Sequence, residues 1–336
     1  MALMLVTGGA GFIGSHLVEE LLGRGDTVRV VDNLTTGSLQ NLRLALAQEL
    51  LPSGRHRRGY RGKFELVTGD LRDPVLVRKS MRGVDYVFHQ AAAPLVVRSI
   101  KNSTEVHSTN VGGTLNVLQA AQAEGVRRVI YASSCTVYGN SHGLPQSETA
   151  LPGPRSPYAA SKLAGEAYCH AFWTRFGLET VILRYFNVYG PRQSTLSEYA
   201  GVIPHFLLAM LRARRPTING DGTQTRDFVY VEDVVQANLA AAFNPLTGGK
   251  CLNVASGRTH SILELFELLN EILGTSLVPI FAPARPGDVR EIPGRTDYAR
   301  EIMNYAPSVP LREGLTRTAR FFSDLLEREK AESRVV

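Results

Sequence analysis

The run Thr7-Gly8-Gly9-Ala10-Gly11-Phe12-Ile13-Gly14 constrains this chain more than any other stretch of it. A short apolar segment, residues 3–6, leads into it, and an amphipathic stretch, residues 12–22, leads out. Glycine has no Cβ, so glycines at 8, 11 and 14 let one piece of backbone lie against another and let an outside group reach the main chain. A buried strand, such a turn and a helix together open a βαβ unit. The helix N-terminus then offers unpaired N–H groups to an anion.

The same rhythm continues through the first half. Residues 3–6, 27–31, 64–68, 86–89, 128–132 and 179–183 read as buried strands rich in Val, Ile, Tyr and Phe. Helical patterns fall between them at 12–22, 39–50, 75–81, 106–124 and 158–176. Strand–helix alternation of this kind gives right-handed crossovers and a doubly wound parallel sheet of the Rossmann type, an α/β fold. Past Asn187 the alternation stops at Pro191, Pro204, Pro216, Gly220 and Gly222. Residues 228–231 and 251–254 read as strands, and 262–273 and 315–329 as helices. The expected organisation is therefore a dinucleotide-binding domain over 1–186, with 228–255 returning to it. A smaller discontinuous α/β domain takes 187–227 and 256–336. The Arg- and Gly-rich residues 52–62 read as a solvated loop before the third strand.

Length and charge fit this division. A chain of 336 residues accommodates two domains. Its 37 basic against 31 acidic side chains leave a mild net charge of +6, which suits an anionic small ligand and calls for no nucleic acid. No apolar run approaches the roughly 18 residues of a membrane span. The N-terminus enters the first strand without a basic leader, so a cytoplasmic setting is expected. Three cysteines without a Cys-x-x-Cys pair suggest neither a disulfide framework nor a metal site.

Asp32 ends the second strand, 18 positions beyond Gly14 and close to the spacing of about 20 at which a carboxylate meets an adenosine ribose. It would repel a 2′-phosphate, so the expected cofactor is NAD. The turn after it, Asn33, Leu34, Thr36 and Gly37, should border the same ribose. Asp70, with Leu71, closes the third strand and either meets the adenine or caps the helix before Pro74. Gln90, Ala91 and Ala92 follow the fourth strand, where small residues let a cofactor lie flat. Gly8, Gly11, Phe12, Ile13 and Gly14 complete the cofactor set.

Tyr158 and Lys162 stand at i and i+4, which puts them on one helical face. A nearby ammonium favours the phenolate, so Lys162 is expected to lower the Tyr158 pKa towards that of a working base. The pair opens the helix after strand five, whose end carries Ser133-Ser134-Cys135-Thr136. Open α/β sheets present their chemistry at such strand ends.

The glycine run, the Ser134 segment and Tyr158-x-x-x-Lys162 together resemble the extended short-chain dehydrogenase/reductase superfamily. Arg184–Arg192, Gly220–Phe228 and Arg285-Pro286-Gly287-Asp288 are similar to the nucleotide-sugar blocks of UDP-sugar 4-epimerases. The resemblance implies that Tyr158 takes the proton from the sugar 4-hydroxyl and that Lys162 holds the nicotinamide ribose. Ser134, with Thr136 nearby, would bind O4. It implies cofactor contacts from Asn110, Ser133 and Tyr185. The nucleotide sugar would meet Asn187, Val202, Ile203, Arg226, Arg285 and Asp288, the two arginines clamping the diphosphate. It also implies a homodimer built on a four-helix bundle from 106–124 and 158–176. Pro94 and Leu95 depart from the small or polar residues usual beside the sugar, and Ile292 stands where size gates N-acetyl groups. The implied activity is C4 epimerisation of UDP-glucose/UDP-galactose and of their N-acetyl forms. UDP-glucuronate epimerisation, or dehydration or decarboxylation on the same fold, are alternatives. The last two need an acid just after the strand-five serine, where this chain has Cys135-Thr136-Val137. A dehydrogenase exchanging free NAD(H) and a non-catalytic NAD-binding scaffold remain as further alternatives.

Overall fold

The computed structural model describes residues 2–46, 62–93, 96–139, 145–194, 201–284, 291 and 293–332. Seven strands form one sheet: β1 (Leu3–Thr7), β2 (Thr27–Asp32), β3 (Phe64–Thr68), β4 (Tyr86–His89), β5 (Arg128–Ser134), β6 (Glu179–Tyr185) and a later strand, Cys251–Val254. Their spatial order is β3-β2-β1-β4-β5-β6 followed by Cys251–Val254, and every pairing is parallel. All seven residues of β5 are buried, as a strand covered by helices on both faces must be. The order reverses between β1 and β4, which opens a crevice at the carboxyl ends of the strands.

Two apolar layers flank the sheet. On one face, Leu17, Val18 and Leu21 of helix Phe12–Gly23 meet Val234, Ala237 and Ala241 of helix Val231–Phe243. On the other, Val77, Met81, Val117, Leu118 and Phe172 come from helices Pro74–Met81, Gly113–Ala123 and Pro157–Phe176.

A third core lies in the smaller lobe. Helices Val202–Leu211, Ile262–Leu273 and Leu311–Glu332 bring Phe206, Leu207, Leu265, Phe266 and Phe322 together. Strand β7 (Asn187–Tyr189) pairs in parallel with β9 (Thr225–Tyr230), and β9 pairs antiparallel with Thr259–Ser261. Between β7 and β9, the short strand β8 (Thr217–Asn219) pairs with Ile280–Ala282. Ser261 and Glu264 form a reciprocal cap at the start of Ile262–Leu273, and Gly274 ends that helix at φ +63°.

Two expectations need correction, and a third is tested only in part. The single helix expected over 106–124 is instead Ser103–His107, a π-helical turn Ser108–Gly112, and Gly113–Ala123. The break falls where Asn110 turns its amide onto neighbouring segments and where two glycines weaken the helix. The strand expected at 228–231 runs over Thr225–Tyr230, and Val231 starts a helix. Residues 228–230 therefore belong to the three-stranded sheet of the smaller lobe, while Val231–Phe243 and Cys251–Val254 lie on the large one. The helix expected over 39–50 is seen as Leu39–Leu46, and 47–50 lie outside the described residues.

Candidate active site

The glycine turn is a cradle that side chains would fill. Gly8 has φ +70°, donates to Val31 O at 2.8 Å, and accepts from the Gly11 N–H at 3.0 Å. A Cβ on Gly14 would lie 2.1 Å from Gly8 O, and one on Gly8 would lie 2.8 Å from the Ala91 backbone. Gly11 caps helix Phe12–Gly23 with no side-chain hydrogen bond, and the first turn holds no acid. Backbone donors without a competing carboxylate fit a diphosphate.

Asp32 closes the next rim. It accepts from the Ala10 N–H at 2.9 Å and the Leu34 N–H at 2.8 Å. Burial raises its pKa against these two hydrogen bonds. A Cβ on Gly37 would come within 2.9 Å of both carboxylate oxygens, so glycine keeps this edge open. Leu34 takes φ +58°, and Thr36 is exposed. Asn33 donates to Asp70 at 2.9 Å, and Arg72 pairs with Asp70 at 2.8 Å, which holds that carboxyl well below its ordinary range. The helix cap is Asp73, which accepts from Val75 and Leu76, so Asp70 is not the cap. Leu71 is core, with its carbonyl held by Asn116.

Behind the crevice, polar side chains satisfy one another. Buried His89 joins Thr7 at 2.7 Å and Thr114 at 2.9 Å, and burial, aided by Lys162, pushes its pKa down to about 3. Gln90, Tyr185 and Asn238 form a hydrogen-bonded trio, with Tyr185 donating to Gln90 Oε1 at 3.1 Å. The Ala91 N–H reaches Thr7 Oγ1 at 3.3 Å, and Ala92 is half-buried beside it. Asn110 Oδ1 accepts from the Ala93 N–H at 2.7 Å, and its Nδ2 donates to Ser161 Oγ at 2.9 Å. It thereby ties the post-β4 segment to the Tyr158 helix.

Ser134, Thr136, Tyr158 and Lys162 converge at the end of β5. Ser134 Oγ accepts from the Thr136 N–H at 3.2 Å and from its hydroxyl at 3.0 Å, and it interacts with the Tyr158 phenol. Ser156 caps the helix by accepting from the Ala159 N–H at 3.1 Å, with Pro157 at its first position. Lys162 is buried, donates to Ala132 O at 2.7 Å, and lies 6.0 Å from the Tyr158 ring centroid. The expected lowering of the Tyr158 pKa is not found in the protein alone. Burial pushes it up to about 12, Cys135 adds to this, and Ser134 opposes it. Burial likewise lowers Lys162 to about 8. Cys135 is buried and its thiol is pushed up to about 12, in keeping with a packing role.

The small lobe supplies the far wall. Asn187 opens β7, and its Oδ1 is buried with no hydrogen-bond partner among the described residues. Arg226, on β9, donates to Thr225 O at 2.7 Å and lies near Cys135. Val202 begins its helix half-buried, and Ile203 is core. Phe12 and Ile13 pack onto the small-lobe core. One turn on, His16 Nε2 lies 2.9 Å from Pro191 O, while Arg192 reaches His16 Nδ1 at 2.9 Å and pairs with buried Glu19. Arg285, Asp288, Pro94, Leu95 and Ile292 lie outside the described residues.

Sequence reasoning missed four buried polar residues: Glu166, Arg184, Asp227 and Asn238. Asp227 accepts from Ser256 N–H and Oγ, both at 2.7 Å, and from Gly257 and Gly294 N–H. A charge inside an apolar strand was the available signal that Arg184 is buried, though not of what it pairs with.

The reversed parallel sheet, the cradle and the Ser–Tyr–Lys cluster define a dinucleotide-dependent enzyme of the extended short-chain dehydrogenase/reductase type. The model of the NAD dependent epimerase/dehydratase family matches residues 4–255, and the chain belongs to that family, with NAD as its cofactor. It is 38% identical over 320 residues to a UDP-glucose 4-epimerase of Mycolicibacterium smegmatis, covering 95% of this chain and 97% of that one. A solved UDP-glucose 4-epimerase of Thermotoga maritima with UDP-glucose superposes at a TM-score of 0.87 with 36% identity, covering 96% and 99% of the two chains. A UDP-N-acetylglucosamine 4-epimerase of Methanobrevibacter ruminantium in complex with UDP-N-acetylmuramic acid gives 0.87 with 34% identity over 96% and 99%. A UDP-glucuronic acid decarboxylase of Arabidopsis thaliana is 34% identical over 331 residues, 97% of this chain and 71% of that protein.

Proposed function

We propose that this enzyme inverts the C4 hydroxyl of a UDP-hexose, UDP-glucose/UDP-galactose or their N-acetyl forms. The observation that carries this is the state of the carboxylates around the hydroxyl cluster. Glu166 is taken up by Ser133 and Arg184, Glu148 accepts from the Asn253 N–H, and Asp227 has four donors. Among the described residues none is left free beside Ser134 to act as the extra acid of a dehydration or decarboxylation. Oxidation followed by return needs only a phenol, a hydroxyl and an ammonium.

Bound NAD supplies the reversible acceptor for the hydride on the sugar C4. Ser134 would orient O4, with Thr136 holding Ser134 in place. Tyr158 would take the O4 proton and later give it back. Lys162, lowered by burial to about 8, stays largely protonated near neutral pH and stands one turn from that phenol. Asn187, with an unmet acceptor among the described residues, would meet a hydroxyl or N–H of the nucleotide sugar, and Arg226 would offer its guanidinium to the diphosphate. Arg285 and Asp288 complete that set in this reading. A homodimer through helices Gly113–Ala123 and Pro157–Phe176 goes with it, and Tyr168 and Phe176 leave aromatic surface exposed on the second of these.

The test is a panel of UDP-glucose, UDP-N-acetylglucosamine and UDP-glucuronate followed by NMR, with absorbance at the nicotinamide band. A 4-epimer without net reduced cofactor is expected. A decarboxylated or 6-deoxy product, or steady accumulation of reduced cofactor, would overturn the reading. In Tyr158→Phe, turnover should fall about 10²–10⁴-fold while NAD stays bound.

A further inference from the structure

Three consecutive residues at the end of β5 face helix Pro157–Phe176. Ala132 O accepts from Lys162 Nζ at 2.7 Å. Ser133 Oγ donates to Glu166 Oε1 at 2.5 Å. Ser134 lies close enough to the Tyr158 phenol to oppose the rise in its pKa. The outer two residues face Lys162 and Tyr158 themselves; in the middle, Ser133 carries the cofactor contact that the resemblance implies, whereas Glu166 reaches neither substrate nor cofactor in any role assigned above.

That middle rung, the Ser133–Glu166 contact, is anchored from β6, although Arg184 Nη1 is buried without a hydrogen-bond partner among the described residues. Arg184 stands opposite Ser133 in the β5–β6 register. It donates from Nε to Glu166 Oε1 at 2.9 Å and from Nη2 to Glu166 Oε2 at 2.6 Å. All three residues are buried, with Ser133 at 3%, Glu166 at 6% and Arg184 at 4% exposure. Arg184 also lies 4.7 Å over the Tyr138 ring, whose hydroxyl donates to Asn253 Oδ1 at 2.7 Å on Cys251–Val254. A planar fork against a carboxylate fixes direction as well as distance. A buried pair of this kind contributes little net stability over an apolar substitute, so its use here must lie in geometry or charge.

We propose that Glu166, Arg184 and Ser133 are positioning residues that set the register between the Tyr158 helix and β5, and hence the separation of the Tyr158 and Ser134 hydroxyls. Helix position 166 lies one turn beyond 162 and two beyond 158, on the same face. Clamping 166 to residue 133 therefore places 158 against 134. Glu166 has a second effect through charge. It is one turn from Lys162, and together with Cys169 it opposes the burial that lowers that ammonium. The other titratable groups facing Lys162 are Tyr158 on the same helix, Tyr131 on β5 and His89 on β4.

The inference rests on Tyr158 being the base. The experiment uses the NAD-loaded enzyme and its epimerisation of the UDP-sugar identified above. Ser133→Ala removes the middle rung and leaves the Glu166–Arg184 pair whole. A 1 Å error in placement can lower a rate about 100-fold, so kcat should drop by roughly 10- to 100-fold with KM within about twofold, read on protein saturated with added NAD. Glu166→Gln should in addition move the alkaline limb of the kcat profile to lower pH, because Lys162 loses the anion that keeps it protonated. If Glu166→Gln does not fold, Glu166→Leu/Arg184→Met removes both charges together and should show the same kcat loss. Wild-type kcat in Ser133→Ala, or kcat and KM falling in step with thermal stability, would overturn the proposal. Normal turnover in Tyr158→Phe would instead remove the base reading on which it stands, so the two failures are distinct.

Discussion

Gly14→Ala pits two physical effects of opposite sign against each other. Position 14 lies inside helix Phe12–Gly23, where alanine ordinarily stabilises by about 1 kcal/mol relative to glycine. Here the added Cβ would stand 2.1 Å from Gly8 O. An ordinary contact needs more than 3 Å, so the carbonyl or the helix must shift by about 1 Å. Overpacking of this kind costs about 1–3 kcal/mol. Gly8 O also accepts the Gly11 N–H at 3.0 Å, and disturbing that turn bond adds about 1 kcal/mol. The net expectation is a variant destabilised by about 1–3 kcal/mol, although propensity alone forecasts a gain. Cofactor retention should suffer more. Each charge-assisted bond lost from the first-turn N–H groups to the diphosphate is worth about 1.5–3 kcal/mol, or roughly 10- to 100-fold in affinity. Thermal unfolding with and without added NAD reads the first effect, and cofactor released on denaturing the purified protein reads the second. A variant that melts higher than wild type and carries a full complement of NAD would refute the close approach and the cradle built on it.

Two further expectations follow from the wall and floor of the crevice. Arg226→Ala should weaken UDP binding about 10-fold or more, measured by calorimetry on the NAD-loaded protein, with NAD content unaltered; unchanged UDP affinity removes Arg226 from the diphosphate site. His89 has its folded pKa at about 3, below the ordinary value of 6.5, so between these pH values the unfolded chain binds the extra proton. Its contribution is present above pH 6.5 and is lost as pH falls towards 3, at up to about 1.4 kcal/mol per unit. In His89→Asn the slope of stability against pH over this window should flatten, and an unchanged slope in denaturant titrations would show that other groups account for it.

The parts of this fold legible in the sequence are those whose information is local. Strands Phe64–Thr68, Tyr86–His89 and Cys251–Val254 are short segments rich in apolar and aromatic residues, and their ends coincide with the spans read from the sequence. Asn187–Tyr189 and Thr217–Asn219 have three residues each, too few to display a period of two. Helix Val231–Phe243 was hidden because Val231 continues the apolar strand before it. Glu232 and Asp233 in its first turn were the overlooked start signal. Ser134, Tyr158 and Lys162 could be singled out because a strand end and an i, i+4 pair bring them together. Glu166 and Arg184 could not, since their pairing depends on how a helix lies over two strands. The expected depression of the Tyr158 pKa failed for a related reason: sequence shows a neighbouring ammonium, but not how far desolvation outweighs it.

Helix Phe12–Gly23 shows how the two lobes are joined. Its tip faces the diphosphate cradle, while Phe12, His16 and Glu19 share the flank that meets Pro191, Arg192 and the small-lobe core. Prising the lobes apart along this seam would strand a buried carboxylate and guanidinium, a change that costs about 3–5 kcal/mol when one partner is lost. On the proposed reading, a sugar that presents each of its faces in turn to the nicotinamide would pivot about its nucleotide end between walls held by this seam, and the room for that turn would be set by side chains lining the crevice.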